Sequence, residues 1–398
     1  MATVVTGLPS LMNLYRPEHM RDPYALYATL RDAGPVHYDK AMRSWRVVGH
    51  ADIRRLSRHP ALTEDRVTPY HQSLPEERRD ALAPLARILA DMMLFHGPPE
   101  HDRLRAPLRK PFTPGVIAHR RARLREQAER LIDELPDGRV DFLADVGAPL
   151  TAATIADLLD IPASHRGLLD DWRSLLDEFF GQSTREIGRL HALRAVFDGM
   201  RGGQFGRECP MGALSGDDAG LNDDEAFAAF VLLIDAGQAT TTHFLANALR
   251  ALLDHPEQLE LLRSQPELMP WAVHELMRYD SPVQFTARTA RTDLDVHGHR
   301  IRSGDTVLLL VGAGNRDPRV YAEPDRLDLT RRARDHLSFG YGAHYCLGAP
   351  LALLTSEVVL DTLLRRRPAL RAADEPPSWR PTINFRFLTG LPVHLGPR

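Results

Sequence analysis

The chain has 398 residues, is 43% hydrophobic and 26% charged, and carries a formal net charge of −3, so it can build a sizeable core as one large domain or two to three smaller ones. That charge balance points to neither nucleic acid nor an anionic membrane as partner. Apolar runs fall short of the ~18 residues of a spanning helix, the start carries no basic segment ahead of an apolar block, and two cysteines, Cys209 and Cys346, form no disulfide framework; a cytoplasmic protein is expected.

In chain order, "PYALYATLRDAG" reads as a short amphipathic helix, and "PVHYDKAMRSWRVVG" as a hairpin turning near Lys40. Helical spacing then dominates in "ADIRRLSRH", "HDRLRAPLRKPF", "GVIAHRRARLREQAERLIDEL" and "LTAATIADLLDI". Residues 63–95 form a longer mixed stretch. Residues 183–222 include the Gly-rich "RGGQFGRECPMGALSGDDAG", and such segments are more often lids or binding surfaces than filler. A long helix over 223–254 starts at Asn222 or Asp223 and stops at His255-Pro256. "ELMPWAVHELMRYDSP" is a further helix, "FTARTARTDLDVHGHRIRSGDTVLLLVGAG" is strand-like, and the stretch to Ser338 is irregular. The chain closes with "FGYGAHYCLG", the helix "APLALLTSEVVLDTLLRRRP" and a β-like tail, "NFRFLTGLPVHL". No internal repeat is present, so the fold class is mainly α with a minor β part.

Cys346 lies in a glycine-rich loop just ahead of a helix, where free backbone N–H groups and the helix dipole favour a thiolate. An isolated cysteine so placed reads more readily as a structural residue. The spacing around it alters that reading, because "FGYGAHYCLG" resembles the haem-binding loop of the cytochrome P-450 family, Phe-Gly-x-Gly-x-His-x-Cys-x-Gly, at every fixed position. The resemblance implies a single cytochrome P-450 domain over 1–398 that binds haem b (iron protoporphyrin IX). In it, 336–348 is the haem-ligand loop and 63–95 and 170–205 are substrate lids. It makes Cys346 the axial thiolate to iron, places Phe339 beside the sulfur and Gly348 at the loop's end, and directs His344 to a haem propionate. Thiolate ligation favours O–O cleavage.

Other elements match in the family's order. Glu275 and Arg278 in "HELMR" resemble its buried structural pair, with Arg326 in "EPDRLDL" as the third member. His101 and Arg105 in "PPEHDRLR", and Arg288 in "FTARTA", resemble its propionate-binding residues, although each alone also reads as a solvated basic face. On the long helix, Ala236, Gly237 and Thr240 match the oxygen-binding turn. Thr240 is the hydroxyl that steers protons, and it can bond back to the Ala236 carbonyl. The family's acid at the next position is replaced by Ala239, while Asp235 stands one turn earlier. Asp235 is expected either to face the substrate pocket, binding a polar group or supplying protons, or to be paired with an arginine in the core. By position, Ala239, Val283, Gln284, Phe285 and Phe387 are further pocket candidates.

The implied function is oxygen insertion from O2 into a small organic substrate, by hydroxylation or epoxidation, in bacterial specialised metabolism. Electrons would come from a ferredoxin and an NAD(P)H-dependent ferredoxin reductase. Arg109, Lys110 and Arg365 to Arg367 offer a docking face, or are ordinary solvated charge. Two alternatives stand beside this: a haem-thiolate enzyme with atypical chemistry (peroxide use, rearrangement or nitrene-type transfer) because of Ala239, and a non-catalytic haem-thiolate sensor.

Overall fold

The computed structural model describes residues 7–170, 172, 174–201, 203, 205–206, 208–216 and 219–397. Positions 171, 173, 202 and 204 of the expected 170–205 lid, and the first six residues of the expected domain, lie outside the described residues. The helices named below are α1 (Tyr24–Ala33), α2 (His50–Leu56), α3 (Val67–Ser73), α4 (Glu76–Ala90), α5 (Glu100–Arg105), α6 (Arg121–Glu134), α7 (Ala148–Leu158), α8 (Leu175–Phe180), α9 (Ile187–Met200), α10 (Pro210–Ser215), α11 (Asp223–Asp254), α12 (Pro256–Ser264), α13 (Met269–Tyr279) and α14 (Ala349–Arg366). The mixed 63–95 stretch is therefore mostly helical, and its irregular look comes from the seven-residue α3 and from Pro84 inside the 15-residue α4.

The 32-residue α11, about 48 Å long, organises the molecule. Asn222 Oδ1 accepts from the Asp224 and Glu225 amides, and Glu225 returns a carboxylate oxygen to the Asn222 N–H, completing a capping box. Three acids in the first turn oppose the helix dipole, and Pro256 ends the run. Most of its side chains are buried, against α7, α13 and α14 among others, in one large apolar core. At α7 the contact includes a polar pair, the Thr151 and Thr242 hydroxyls, which bond at 2.5 Å.

The β part is separate. Strands β1 (Val36–Asp39), β2 (Ser44–Val47), β3 (Leu62–Thr63), β5 (Thr286–Ala290) and β8 (Thr306–Leu309) form one sheet in the order β1-β2-β8-β5-β3. The hairpin β1–β2 pairs Val36 with Val47, and β2 runs parallel to β8 with Trp45 opposite Val307. A second apolar cluster fills this sheet's inner face. Small sheets join β6 (Leu294–Val296) to β7 (His299–Ile301), β10 (Ser378–Trp379) to β11 (Leu388–Gly390), and β4 (Arg139–Asp141) to β12 (Pro392–His394) and β9 (Arg371–Ala372). No helix among the described residues is long and apolar enough to cross a membrane.

Candidate haem-thiolate site

The cysteine loop is shaped by two glycines. Gly340 and Gly342 hold φ of 72° and 84°, the left-handed region that side chains rarely adopt, and a Cβ on Gly342 would come 2.5 Å from Arg58 Cγ. Gly348, at φ −79°, caps α14 and needs no such freedom. The Cys346 amide donates to the Phe339 carbonyl at 2.8 Å, which closes the loop, and the Phe339 ring is buried beside it. Burial pushes the Cys346 thiol up, opposed by the Gly348 and Ala349 amides and by Arg105, so the helix end alone does not make the thiolate expected from sequence. A metal cation at the sulfur would supply the missing charge. No cluster of three or more His, Cys, Asp or Glu side chains suited to a metal occurs among the described residues.

Beside the loop, α5 brings His101 against His344, ring centroids 4.1 Å apart, and Arg105 donates to the Tyr345 carbonyl at 2.7 Å. Nε2 of both histidines is buried without a hydrogen-bond partner. Burial, then His101, Arg288 and Arg105, push His344 down to about 3. Arg288 Nε lies 3.0 Å from Glu64 Oε1 at ion-pair distance, and the same oxygen is 3.4 Å from His344 Nε2. The site thus gathers two guanidinium groups and two imidazoles around one carboxylate. Glu64, which the motif reading missed, already presents between Arg288 and His344 the chemistry of a propionate, and the excess of donors fits the two propionates of haem b. No sequence signal marks Glu64; it reaches the site from the end of β3.

Across from the loop, one turn of α11 departs from the burial of its neighbours: Ala236 is exposed and Gly237, Ala239 and Thr240 are partly so. The Thr240 hydroxyl donates to the Ala236 carbonyl at 2.7 Å, the back-bond its position suggested. Gly237 lies on a different face. It lies about 100° round the helix from Ala236, and a Cβ there would meet Ile155 Cδ1 at 2.6 Å, so its missing side chain serves packing against α7.

Asp235 is also corrected. Its Oδ1 accepts from the Trp172 indole at 2.9 Å and from the Leu175 amide at 2.8 Å, so it faces the start of α8, and among the described residues no arginine pairs with it. Gln238, one turn on, donates to the Leu169 carbonyl at 2.8 Å. Both α11 side chains hold the same connecting segment because three residues nearly complete a turn.

The buried pair holds, but its third member changes. Glu275 and Arg278, both fully buried, bond at 2.7 and 2.8 Å. Arg331 Nε completes the group at 3.2 Å from Glu275, whereas Arg326 turns its backbone carbonyl to Arg278 and leaves its side chain 59% exposed on Glu323. Among the pocket candidates, Val283 and Phe285 are partly exposed while Gln284 between them is buried. Gln284 donates to the Ser281 carbonyl and lies against Gly312, away from the pocket side. Phe387 is stacked between His243, at 4.0 Å, and Phe385, at 4.5 Å, and is a core residue. Arg109 and Lys110 are exposed, but Arg365 and Arg366 pair with Glu129, and Arg367 is fully buried against Asp137 and the Ile132 and Leu135 carbonyls. The run 365–367 is therefore a tie between α14 and α6 and not a free basic face.

A family model described as Cytochrome P450 matches residues 209–370. The chain is similar to a "Biotin biosynthesis cytochrome P450" of Bacillus subtilis (strain 168), 34% identical over 389 residues that cover 94% of this chain and 97% of that one. It is similar to a "6-deoxyerythronolide B hydroxylase" of Saccharopolyspora erythraea, 32% identical over 94% of this chain and 96% of the relative. The solved structure of P450BioI in complex with hexadec-9Z-enoic acid ligated acyl carrier protein superposes with a TM-score of 0.84 at 32% identity, covering 95% of this chain and 100% of that one.

Proposed function

This chain belongs to the cytochrome P450 family and is a haem b oxidoreductase of the monooxygenase type, and from that premise we propose that it hydroxylates or epoxidises a small organic molecule of specialised metabolism at the site built around Cys346 and Thr240. Bound haem would supply the redox chemistry, in which O2, two electrons and two protons give one oxygen atom to the substrate and one to water. Cys346 Sγ would ligate the iron. Arg105, Arg288, His101 and His344 would hold the propionates, which present the same carboxylate chemistry as Glu64. The open turn at Ala236 would leave room for a diatomic ligand, and Thr240 Oγ1, whose own proton goes to the Ala236 carbonyl, would accept a hydrogen bond from a water and hold it there. Electrons come from a ferredoxin and its NAD(P)H-dependent reductase, for which exposed Arg109 and Lys110 are contact candidates.

The observation that carries this reading is the gathering of His101, His344 and Arg288 beside the cysteine loop, with Nε2 of both imidazoles buried and without a hydrogen bond. The reduced carbon-monoxide adduct should show the long-wavelength Soret band of thiolate ligation, and Cys346→Ser should abolish that band. A normal band in the Ser variant would remove Cys346 as ligand.

Atypical chemistry is a second reading, favoured by one observation: Asp235 is engaged by Trp172 and Leu175 and does not replace the acid missing at Ala239. Product formation with ferredoxin, reductase and NAD(P)H under air, set against peroxide-only and anaerobic assays, separates the two. Ala239→Asp should raise the product formed per electron only under the first.

A further inference from the structure

Arg66 lies between β3 and α3, at the start of the 63–95 lid. Its guanidinium carbon is 5.7 Å from the Phe95 ring centroid and 5.8 Å from that of Phe180 on α8, within cation–π range of both. Among the described residues its side chain makes no hydrogen bond and no ion pair, and its Nε is buried. The nearest candidate counter-charge, Glu64, is committed to Arg288 and His344.

Burial, then Arg288, push the Arg66 guanidinium down to about 10, against Glu64, so it stays charged at neutral pH. Yet the residue keeps part of its surface accessible. Arg66 thus sits partly accessible between the lid and α8, and its surroundings are aromatic. Tyr70 meets Phe180 at a tilt, centroids 4.9 Å apart, and Phe179 edge-on at 5.4 Å, and its hydroxyl donates to the Phe180 carbonyl at 3.1 Å.

A partly buried charge without a counter-ion is costly unless a ligand or water completes it. The four propionate donors already match two propionates, so Arg66 is left over. We propose that Arg66 anchors the carboxylate of an organic-acid substrate, while Tyr70, Phe95 and Phe180 take the adjoining apolar part of the same molecule. A single planar guanidinium with unused N–H groups suits a monoanionic, two-oxygen partner. A phosphate dianion would leave charge uncompensated there. This assignment rests on the monooxygenase reading and narrows its substrate class.

The test uses the haem-loaded full chain, with octanoate, dodecanoate, hexadecanoate and 3-phenylpropanoate each paired with its own alcohol. Binding is read by the substrate-induced Soret shift and by calorimetry. Wild type should bind at least one acid about 10-fold or more tighter than its alcohol, as a desolvated charge-assisted pair gives. Arg66→Gln should erase that preference, leave the alcohol's affinity unchanged and retain full haem content. Arg66→Lys should keep part of the preference, since charge survives and the two-pronged geometry does not. The proposal is overturned if no acid outbinds its alcohol, if Arg66→Gln keeps the preference, or if Arg66→Gln loses haem, which would make Arg66 a propionate ligand. Failure of the underlying reading is distinct: wild type itself would then lack the thiolate carbon-monoxide band.

Discussion

Asp235 Oδ1 receives two hydrogen bonds, and burial, with Asp177 and Glu186 adding to it, still pushes its carboxyl up to about 6 from 3.8. Between those values the folded state binds more protons than the unfolded one, so this group's contribution is full below about pH 4 and is lost as pH rises through 6, on the order of 3 kcal/mol. Asp235→Asn keeps the accepting oxygen and removes the titration. The variant should therefore gain stability over wild type between pH 4 and pH 7, measured by denaturant unfolding at both, and a difference independent of pH would contradict the assignment. Asp235→Ala instead strands two buried donors, at about 1–3 kcal/mol each. That a carboxylate within "VLLID" needs partners is legible from the sequence. Which partners is not, because Trp172 and Leu175 lie some sixty residues away and indole and amide donors carry no charge to search for.

At the scale of elements, α13 and the irregular stretch after it are joined by charge in a dry place. Removing one side of a buried pair leaves the other uncompensated, so Glu275→Ala should cost about 3–5 kcal/mol and lower haem retention through the loop that follows. Arg331→Ala, with its side chain closer to solvent, should cost less, and Arg326→Ala should stay within about 0.5 kcal/mol of wild type. Thermal unfolding of the three variants ranks them. The i,i+3 pair could be read from "HELMR" because helix geometry forces it. The third member could not, since several arginines crowd the same stretch and only the loop's path decides that Arg326 turns outward. The same limit applied to Arg365 to Arg367. Three adjacent arginines look alike in sequence, but they sit at the end of α14, where two reach across to α6 and one is swallowed between the two elements.

For the whole molecule, the long helix, the cysteine loop and the order of the matched elements were legible because each is specified locally, by caps, glycines and spacing. The five-stranded sheet was not: β2 and β8 pair across some 260 residues, and pairing at that distance leaves no pattern in a window of sequence. The lid helices were obscured by the short length of α3 and by Pro84 inside α4. The residues proposed to hold haem come from α5, β5 and the cysteine loop, in both halves of the chain, so its binding should stabilise the entire fold. At ligand levels 100-fold above the dissociation constant the gain is about 2.7 kcal/mol. Scanning calorimetry should find Tm several degrees higher with haem than after its extraction, while equal values would mean that binding and folding are uncoupled.

Asp235 and Gln238 bracket Ala236 on one turn of α11, and both grip the segment from Leu169 to Leu175. The segment that leads into α8 is thereby tied to the turn at Ala236. Were a substrate at the α8 side to draw that segment to one position, the turn would be drawn with it, and by linkage a ligand at the turn would alter substrate affinity by the same factor.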